Sequence, residues 1–357
     1  MSDAAVTGVL RGAEVVRHYG DPPGEWQAAV AEAALRDRSH RRRWWVRGRQ
    51  PAAMLQGVVT GRIPEPWSSD GGGGGARAEY SVVLTPKGRT ISDLRLWRIG
   101  GEAGESAGFV LDVPVAGAQP LAEHLRRLLP PRLAKVEDRS AATGMLSVLG
   151  PTGALRLSAV LGGAAAEYEA MAEGDLRAGS FAGGDVVCIR GGDVSEPTWD
   201  LVGEAEVIAA VRAALEQAGV RPVGSSVWEA LRLEAGRPAF GADLTDQIPT
   251  EAGIDARAID ASKGCYTGQE VIVRIRDRGH VNRHLRRIRL GDGPLPAVGT
   301  ELWRDDGERS VGHLTSVGTS PREGALGLGY VRREVTPPGP VRLGGADGPA
   351  VSIESLD

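Results

Sequence analysis

The chain has 357 residues, of which 41% are hydrophobic and 25% charged, which is an ordinary composition for a globular protein. A chain of this length is too long for one hydrophobic core. The formal net charge of -4 argues against a protein that binds nucleic acid over its whole surface, and no apolar run reaches the ~18 residues that cross a bilayer. Two cysteines exclude a disulfide framework, so we expect a cytoplasmic protein that contacts no membrane.

The first predicted element is a helix near the N-terminus. The segment EWQAAVAEAALRDRS carries helix-forming residues with Val30 and Ala34 on one face, and we predict that the helix ends near Ser39. The segment RRRWWVRG follows it. Together they form the first basic cluster, which consists of Arg36, Arg38, Arg41, Arg42, Arg43, Arg47 and Arg49.

Strands and helices then interleave. After a loop at 68–77 that contains five consecutive glycines, strands are predicted in AEYSVVLT, TISDLRLWRI and SAGFVLDVP. A helix in LAEHLRRLL is stopped by Pro130, and a second helix is predicted in EAEVIAAVRAALEQAG. The segments GMLSVLG and DVVCIR read as short buried strands, and Cys188 within the second of them reads as a core residue.

The order of these elements predicts an α+β protein, because strands and helices do not alternate strictly. We predict three domains. Residues 1–140 form an N-terminal α+β domain and residues 141–286 a middle α+β domain. Residues 287–357 contain short alternating runs separated by Gly and Pro, which is typical of a small antiparallel β-barrel.

Neither a nucleotide nor a metal site is predicted. The sequence contains no Walker loop, and no glycine-rich dinucleotide fingerprint lies between a strand and a helix. Cys265, His280 and His284 could share a metal only if the histidines lay on one helical face, and neighbouring arginines would repel the ion.

The segment KGCYTGQE, residues 263–270 and hereafter the cysteine loop, contains the second cysteine between two glycines. Cys265 is either a small residue in a tight turn or a thiol that the loop presents. Lys263 would lower the pKa of such a thiol and make it more reactive.

A second basic cluster follows the cysteine loop, with only Asp277 to oppose it in the sequence. It can be a solvated face or an anion site for an RNA backbone or a multiply carboxylated small molecule. Its members are Arg274, Arg276, Arg278, Arg283, Arg286, Arg287 and Arg289.

Glu234 lies in LRLEAG, near the predicted end of a helix. A carboxylate there is unfavourable for the helix macrodipole unless it has a partner. It is also a good acceptor for the paired N–H donors of a pterin-like ring, although a surface acid is the simpler interpretation.

Taken together, LRLEAGRPAFGADL, IPTEAGI and KGCYTGQE resemble the YgfZ/GcvT-like family, the folate-binding relatives of the glycine-cleavage aminomethyltransferase (T-protein). The segments AEYSVVLTPKGRTISDLRL and VGHLTSVG fall in the family's order. The resemblance implies two mixed α/β domains around a central channel, a C-terminal antiparallel β-barrel and tetrahydrofolate in the channel. The cysteine loop resembles the YgfZ branch, whose members support iron–sulfur cluster enzymes, including enzymes that modify tRNA.

The resemblance also implies roles for individual residues. Glu234 matches the residue that holds the pterin, and Asp93 matches one acid of a catalytic pair whose other position is Ser92 here. A second acid is missing at Gly61-Arg62. The working groups are expected to be Cys265, Lys263 and Asp93, and the cofactor contacts Glu234, Tyr80, Tyr266, Gln269 and Arg274.

Three functions follow from these observations. The first is a folate-binding protein that assembles or repairs iron–sulfur clusters in client enzymes through Cys265. The second is a tetrahydrofolate-dependent aminomethyltransferase or demethylase, which requires Asp93. The third is a non-catalytic tRNA-binding protein that uses the two arginine clusters.

Overall fold

The computed structural model describes residues 5–65, 77–99 and 108–356. Its strands are β1 Val6–Leu10, β2 Ala13–His18, β3 Ala34–Asp37, β4 Arg42–Arg47, β5 Glu79–Leu84, β6 Thr90–Ile99, β7 Gly108–Val113, β8 Lys135–Asp138, β9 Thr143–Leu149, β10 Leu176–Phe181, β11 Gly184–Arg190, β12 Thr198–Glu204, β13 Arg221–Pro222, β14 Arg283–Arg289, β15 Glu301–Arg304, β16 Ser310–Ser320, β17 Gly324–Arg332, β18 Gly339–Leu343 and β19 Ala350–Glu354.

The helices pack on the sheets formed by these strands. They are α1 Pro22–Ala31, α2 Pro51–Gln56, α3 Val115–Leu128, α4 Gly153–Leu161, α5 Ala165–Glu169, α6 Ala205–Gln217, α7 Ser225–Glu234, α8 Asp255–Ala258 and α9 Gln269–Arg278, with a 3-10 turn at Pro249–Ala252. Among the described residues, no helix is both long enough and apolar enough to span a membrane.

The first sheet has the antiparallel order β5-β6-β7-β4-β8. Its outer face packs on α3, where Leu94 and Leu96 of β6 meet Leu121 and Leu125. Side chains alternate along a strand, so Asp93 and Arg95 of β6 project from the opposite face. The predicted strands in this region and the helix before Pro130 are confirmed.

The second sheet has the order β10-β11-β12-β9-β3-β13 and carries α4 and α6 on its outer face. Its inner face meets the inner face of the first sheet, where Trp97 and Val110 pack against Met145, Ile189 and Val202. Strand β3 belongs to this sheet although β4, a few residues later, belongs to the first. The chain therefore crosses between the two sheets within its first 45 residues.

The C-terminal strands close into an antiparallel barrel with the order β14-β17-β16-β15-β18-β19, as predicted. Its interior is filled by a cluster that includes Ile288, Leu302 and Ile353. Helix α7 packs on the outside of the barrel through Leu233, which meets Leu285 and Leu328. The two mixed α/β units and the barrel confirm the predicted fold class.

The N-terminal helix is shorter than predicted. It ends at Ala31, and residues 34–37 form strand β3, which pairs with β9 and β13. Pairing in the sheet buries Leu35 in the core of the second sheet, which outweighs the helical propensity of the sequence. The predicted glycine loop lies outside the described residues apart from Arg77.

Three of the seven arginines of the first basic cluster are buried and are not available to contact RNA. Arg36, Arg38 and Arg43 are 4%, 5% and 0% exposed. Arg43 donates to the carbonyl oxygens of Ser39, Ser140 and Thr143. These arginines hold the interior together instead of facing a partner.

The second basic cluster meets acids that are distant in the sequence. Arg287 and Arg289 pair with Glu323 and Glu354, and Arg283 pairs with Glu251. Asp277 is the only acid within this cluster in the sequence, and the fold adds Glu251, Glu323 and Glu354. His284 lies in β14, so His280 and His284 do not share a helical face. In the described part of the chain, no group of three or more His, Cys, Asp or Glu side chains could hold a metal ion.

Candidate functional site

Two anchors hold the cysteine loop against the first sheet. The Lys263 Nζ donates to the carbonyl oxygens of Val59 and Gly61, each at 2.6 Å. The Thr267 N–H donates to the carbonyl oxygen of Gly57 at 3.1 Å. The backbone of the loop is therefore fixed at both ends of the tripeptide that contains Cys265.

The fixed loop presents Cys265 to solvent. The thiol is free and its residue exposed, and a Cβ built on neighbouring Gly264 would meet no atom within 4 Å. Gly268 has φ +83°, and a Cβ there would lie 2.6 Å from the Thr85 carbonyl oxygen, so this close approach requires glycine. Cys188, by contrast, is buried in β11, where burial raises the pKa of its thiol, as expected of a core residue.

The Lys263 side chain anchors the cysteine loop. Its side chain is buried, and within the described ranges its ammonium group makes no hydrogen bond to Cys265. Burial lowers the pKa of Lys263 to about 8. The geometry thus gives this residue a structural task, and the tuning of Cys265 by its charge stays a prediction.

We expect the contribution of Lys263 to the free energy of unfolding to rise between pH 8 and pH 10.5. In this window the folded chain, with a pKa of about 8, has released the proton that the unfolded chain, with the ordinary 10.5, still binds. The neutral amine keeps two N–H donors for its two carbonyl partners. In denaturant unfolding, the free energy of unfolding of wild type minus that of Lys263→Met should increase by about 2–3 kcal/mol from about pH 7.5 to about pH 10. An unchanged difference would contradict the lowered pKa.

A cavity of about 630 Å³ opens beside the cysteine loop. Tyr266 and Gln269 of the loop line it together with Asp255 and His284. Burial raises the pKa of both Tyr266 and Asp255. Arg274 is exposed on α9 and is not among the lining residues, so the structure does not group it with Tyr266 and Gln269.

Asp93 and Tyr80 form a pair on the inner face of the first sheet. The Tyr80 hydroxyl donates to Asp93 Oδ2 at 2.9 Å, and the Arg257 guanidinium lies 4.7 Å from the centroid of the Tyr80 ring. The other oxygen, Asp93 Oδ1, is buried and has no hydrogen-bond partner among the described residues. Burial raises the pKa of Asp93. This carboxyl group is oriented at one oxygen and free at the other.

Tyr80 and Arg257 line a second cavity, of about 280 Å³. Asp193, Glu173 and Arg190 also contribute to its wall. Helix α8 separates the two cavities, since Asp255 lines the first, Arg257 the second and Ala256 both. The cysteine loop and the Asp93–Tyr80 pair therefore lie on opposite sides of one short helix.

Ser92, at the position of the missing acid, faces away from this cavity. It is fully buried, and a Cβ on Gly117 of α3 would collide with its Oγ at 2.1 Å. Its hydroxyl donates to the carbonyl oxygen of Asp93. Because position 92 packs on α3, Asp93 is the acid of this strand segment that faces the space between the sheets.

Behind Asp93 the two sheets are joined by a network of ion pairs that the sequence did not reveal. Arg95 Nη2 lies 2.9 Å from Asp112 Oδ2, and Arg95 Nη1 lies 2.5 Å from Asp200 Oδ2. Arg41 Nε reaches Asp112 Oδ1 at 2.6 Å, and Arg38 reaches Asp200 at 3.4 Å. Asp112 and Asp200 are fully buried, so every one of these charges depends on its partners.

The electrostatics of the network differ from those of Asp93. Burial by itself would raise the pKa of Asp112, but Arg41, Arg95 and Arg38 hold it below its usual range. For Asp93, burial prevails over the attraction of Arg41 and the hydrogen bond of Tyr80. The arginines therefore keep Asp112 charged, whereas burial favours the neutral form of Asp93.

Glu234 is the last residue of α7, near the helix end as predicted, and its carboxylate already accepts hydrogen bonds from protein side chains. Ser195 Oγ donates to Oε2 at 3.0 Å, Ser320 Oγ donates to Oε1, and the Arg322 guanidinium pairs with Oε2. Ser320 and Arg322 come from the barrel. The Glu234 side chain is 1% exposed and the Arg322 side chain 43%, so Arg322 covers the acid from the solvent side.

The described residues define an α+β protein with two facing β-sheets, a closed C-terminal barrel and an oriented acid between the sheets. The family model described as the GCVT N-terminal domain matches residues 4–263, and the chain belongs to this family.

Individual relatives agree with this assignment. The aminomethyltransferase of Corynebacterium jeikeium is 28% identical over 299 residues, covering 78% of this chain and 74% of that protein. The aminomethyltransferase of Thermus thermophilus is 28% identical over 318 residues, covering 88% and 84%. The glycine cleavage system aminomethyltransferase T from Bartonella henselae has the same fold, with a TM-score of 0.81, 20% identity and coverage of 99% and 94%.

Proposed function

We propose that the protein binds tetrahydrofolate and takes part in the transfer of a one-carbon unit from an amine, with Asp93 as the acid–base group. Family membership and the relatives named aminomethyltransferase support this proposal. The observation that carries it is the Asp93 carboxyl, with one oxygen oriented by Tyr80 and the other buried without a partner. Burial raises the pKa of this carboxyl and thereby favours its protonated form, as an acid–base group requires.

The residues around the second cavity fit the polar ring of a folate. Asp193 and Glu173 supply carboxylate acceptors for ring N–H donors, and the Tyr80 ring offers an aromatic face. Tetrahydrofolate supplies the amine that accepts the one-carbon unit. The chain contributes the orientation of the ring and the proton exchange at Asp93 Oδ1.

We also propose that Glu234, which does not line the second cavity, contacts the pterin at its edge, and that Arg322 controls access to Glu234. Glu234 Oε2 accepts from both Ser195 and Arg322, whereas, among the described residues, Oε1 accepts from Ser320 alone. The exposure of Arg322 permits it to move away and free a second acceptor position at Oε2. Ser195 and Ser320 remain to fix the carboxylate when Arg322 moves. Folate binding is therefore coupled to a barrel side chain.

Tetrahydrofolate should quench the intrinsic fluorescence of the eight tryptophans in wild type. Glu234→Gln should weaken binding by about 10- to 100-fold, because one buried charged acceptor is worth roughly 1.5–3 kcal/mol. The control is Glu196→Gln, which alters the other acid partner of Arg322 and should leave the affinity within about 2-fold. Equal losses in both variants would assign the effect to Arg322 and remove Glu234 from the folate site.

A second candidate is support of iron–sulfur clusters in client enzymes, the function of the YgfZ branch. The observation in its favour is the exposed thiol of Cys265 on a loop with two anchors. Such a loop holds a thiol in position for another protein to reach. The absence of an acid at positions 61 and 92 is also consistent with a lineage that has left aminomethyl transfer.

Cys265→Ser separates the two candidates. The side chain is exposed, so the variant should fold with unchanged stability. If the thiol is the working group, the variant will fail to restore cluster-enzyme activity in a strain that lacks this protein, while its tetrahydrofolate binding stays the same. Full restoration would eliminate the iron–sulfur role, and Cys188→Ser serves as the control for the buried thiol.

A further inference from the structure

Arg190 carries a buried N–H group that no acceptor of the described chain reaches. The residue is the last of strand β11, is half-buried and lines the second cavity. Its Nη1 is buried and has no hydrogen-bond partner among the described residues. A buried donor without an acceptor costs free energy, so native structures contain few of them. When such a donor belongs to the wall of a cavity, its residue is a candidate contact for a ligand.

The charge of Arg190 is also unmatched. The three other arginines that line the second cavity each form an ion pair with an acid; they are Arg77, Arg95 and Arg257. No carboxylate in the described ranges lies within ion-pair distance of Arg190. The group whose charge acts on it is the Cys188 thiol, but burial raises the pKa of that thiol, which is therefore neutral at pH 7. Burial lowers the pKa of Arg190 itself, as expected of a cation that lacks a counter-charge.

The guanidinium group is nevertheless held in place. Arg190 lies opposite Trp199 in the β11–β12 pair, and its guanidinium carbon is 4.3 Å from the centroid of the Trp199 ring. Trp199 is 2% exposed, and its indole N–H donates to the carbonyl oxygen of Tyr168 at 3.0 Å. The Arg190 N–H donates to the carbonyl oxygen of Asp175 at 2.9 Å. A ligand that bound this side chain would therefore have little conformational entropy to remove from it.

We propose that Arg190 binds the carboxylate of a small molecule in the second cavity. An unmatched positive charge favours an anion over a neutral carbonyl group. Glu173 and Asp193 line the same cavity and would repel a dianion such as phosphate more strongly than a monoanion. The planar guanidinium fork matches the two oxygens of a carboxylate better than a spherical chloride ion. The Trp199 ring covers one face of the guanidinium and leaves the N–H edge for the ligand.

The position of Arg190 relates this subsite to the acid–base group. Tyr80 lines the same cavity of about 280 Å³, and its hydroxyl donates to Asp93. A molecule whose carboxylate is held by Arg190 therefore lies in the cavity that borders the Asp93–Tyr80 pair. The proposal goes beyond the folate proposal and does not depend on it, because acetate alone tests it.

The test is thermal unfolding of the full chain at about pH 7.5 while sodium acetate replaces sodium chloride at constant ionic strength. Wild type should gain about 3 °C in Tm at roughly ten times the Kd of acetate. Arg190→Met retains a side chain that packs on Trp199 but has no charge, so its Tm should not respond to acetate. Arg190→Lys keeps the charge but loses the fork, so its Kd for acetate should rise at least about 5-fold.

The matched control is Arg177→Met. Arg177 lies in the neighbouring strand β10, and its guanidinium also stacks on an aromatic ring, that of Tyr168. Unlike Arg190, it pairs with an acid, Glu167, and it is not among the residues that line the second cavity. Its variant should respond to acetate like wild type.

Two sources supply such a carboxylate: the glutamate tail of a folate and a separate small carboxylic acid. A competition arm separates them with tetrahydrofolate and with 6-methyltetrahydropterin, which has the ring but no tail. Competition of acetate with tetrahydrofolate alone assigns the subsite to the tail. Simultaneous binding of acetate and tetrahydrofolate assigns it to a separate acid. An acetate response in a chain that does not bind tetrahydrofolate would refute the folate proposal and support this one.

Three outcomes would overturn the proposal. The first is a wild-type Tm that acetate does not raise beyond the effect of chloride. The second is an undiminished acetate response in Arg190→Met or, if that variant does not fold, in Arg190→Lys. The third is competition of acetate with 6-methyltetrahydropterin, which would place the ring at Arg190 instead of a carboxylate.

Discussion

Asp112→Asn is expected to lower the free energy of unfolding by roughly 3–5 kcal/mol, the effect typical of breaking a buried ion pair from one side. Asp112 is fully buried and receives Arg41 at one oxygen and Arg95 at the other. With an amide at this position, both arginines lose the negative charge that Asp112 supplies. The NH₂ group of the amide also adds a donor where acceptors are needed. Urea unfolding, followed by tryptophan fluorescence and by circular dichroism, measures the change.

The control is Asp277→Asn, which breaks the exposed pair with Arg276. Water screens that pair, so we expect no measurable change in the unfolding midpoint. If Asp112→Asn were also silent, the two sheets would not depend on their charged interface, and the assignment of Asp112 to structure would be wrong.

Asp93→Asn is expected to reduce activity without reducing stability. It should lower the rate of one-carbon transfer by about 10²–10⁴-fold, the range typical of an acid–base group. It should leave stability unchanged or slightly increased, because burial raises the pKa of Asp93 and a neutral amide avoids the cost of burying the charge. Affinity for tetrahydrofolate should change little, so the loss should fall on kcat.

Tyr80→Phe tests the orientation of the same carboxyl. It removes the hydroxyl that donates to Asp93 Oδ2 and retains the ring under Arg257. We expect a loss of activity smaller than that of Asp93→Asn, with a further rise in the pKa seen in the pH–rate profile, since the hydrogen bond favours the carboxylate. A Tyr80→Phe enzyme with the wild-type pH profile would contradict the paired arrangement.

Local patterns predicted most of the secondary structure. The alternation in TISDLRLWRI predicted β6, and the apolar spacing before Pro130 predicted α3. The helix predicted as far as Ser39 was wrong, because residues 34–37 are drawn into a sheet by β9, more than 100 residues later. Such pairing is a property of the tertiary structure, and local propensity does not contain it.

The candidate site was predictable only in part. The resemblance pointed to Asp93, Glu234 and the cysteine loop, but their partners come from distant segments: Ser320 and Arg322 for Glu234, for example. The sequence does contain one indication of the charged network. Asp112 is the single charge in β7, and Arg95 lies between Leu94 and Leu96 in β6; a charge buried in such a strand requires a partner. The sequence could not say which charges pair, since that depends on how the two sheets face.

The measurement closest to the central claim is the formation of methylenetetrahydrofolate by purified wild type from tetrahydrofolate and an aminomethyl-bearing carrier protein. Wild type and Cys265→Ser should form the product, and Asp93→Asn should form little or none. No product from wild type in the presence of bound tetrahydrofolate, or undiminished product from Asp93→Asn, would contradict that claim.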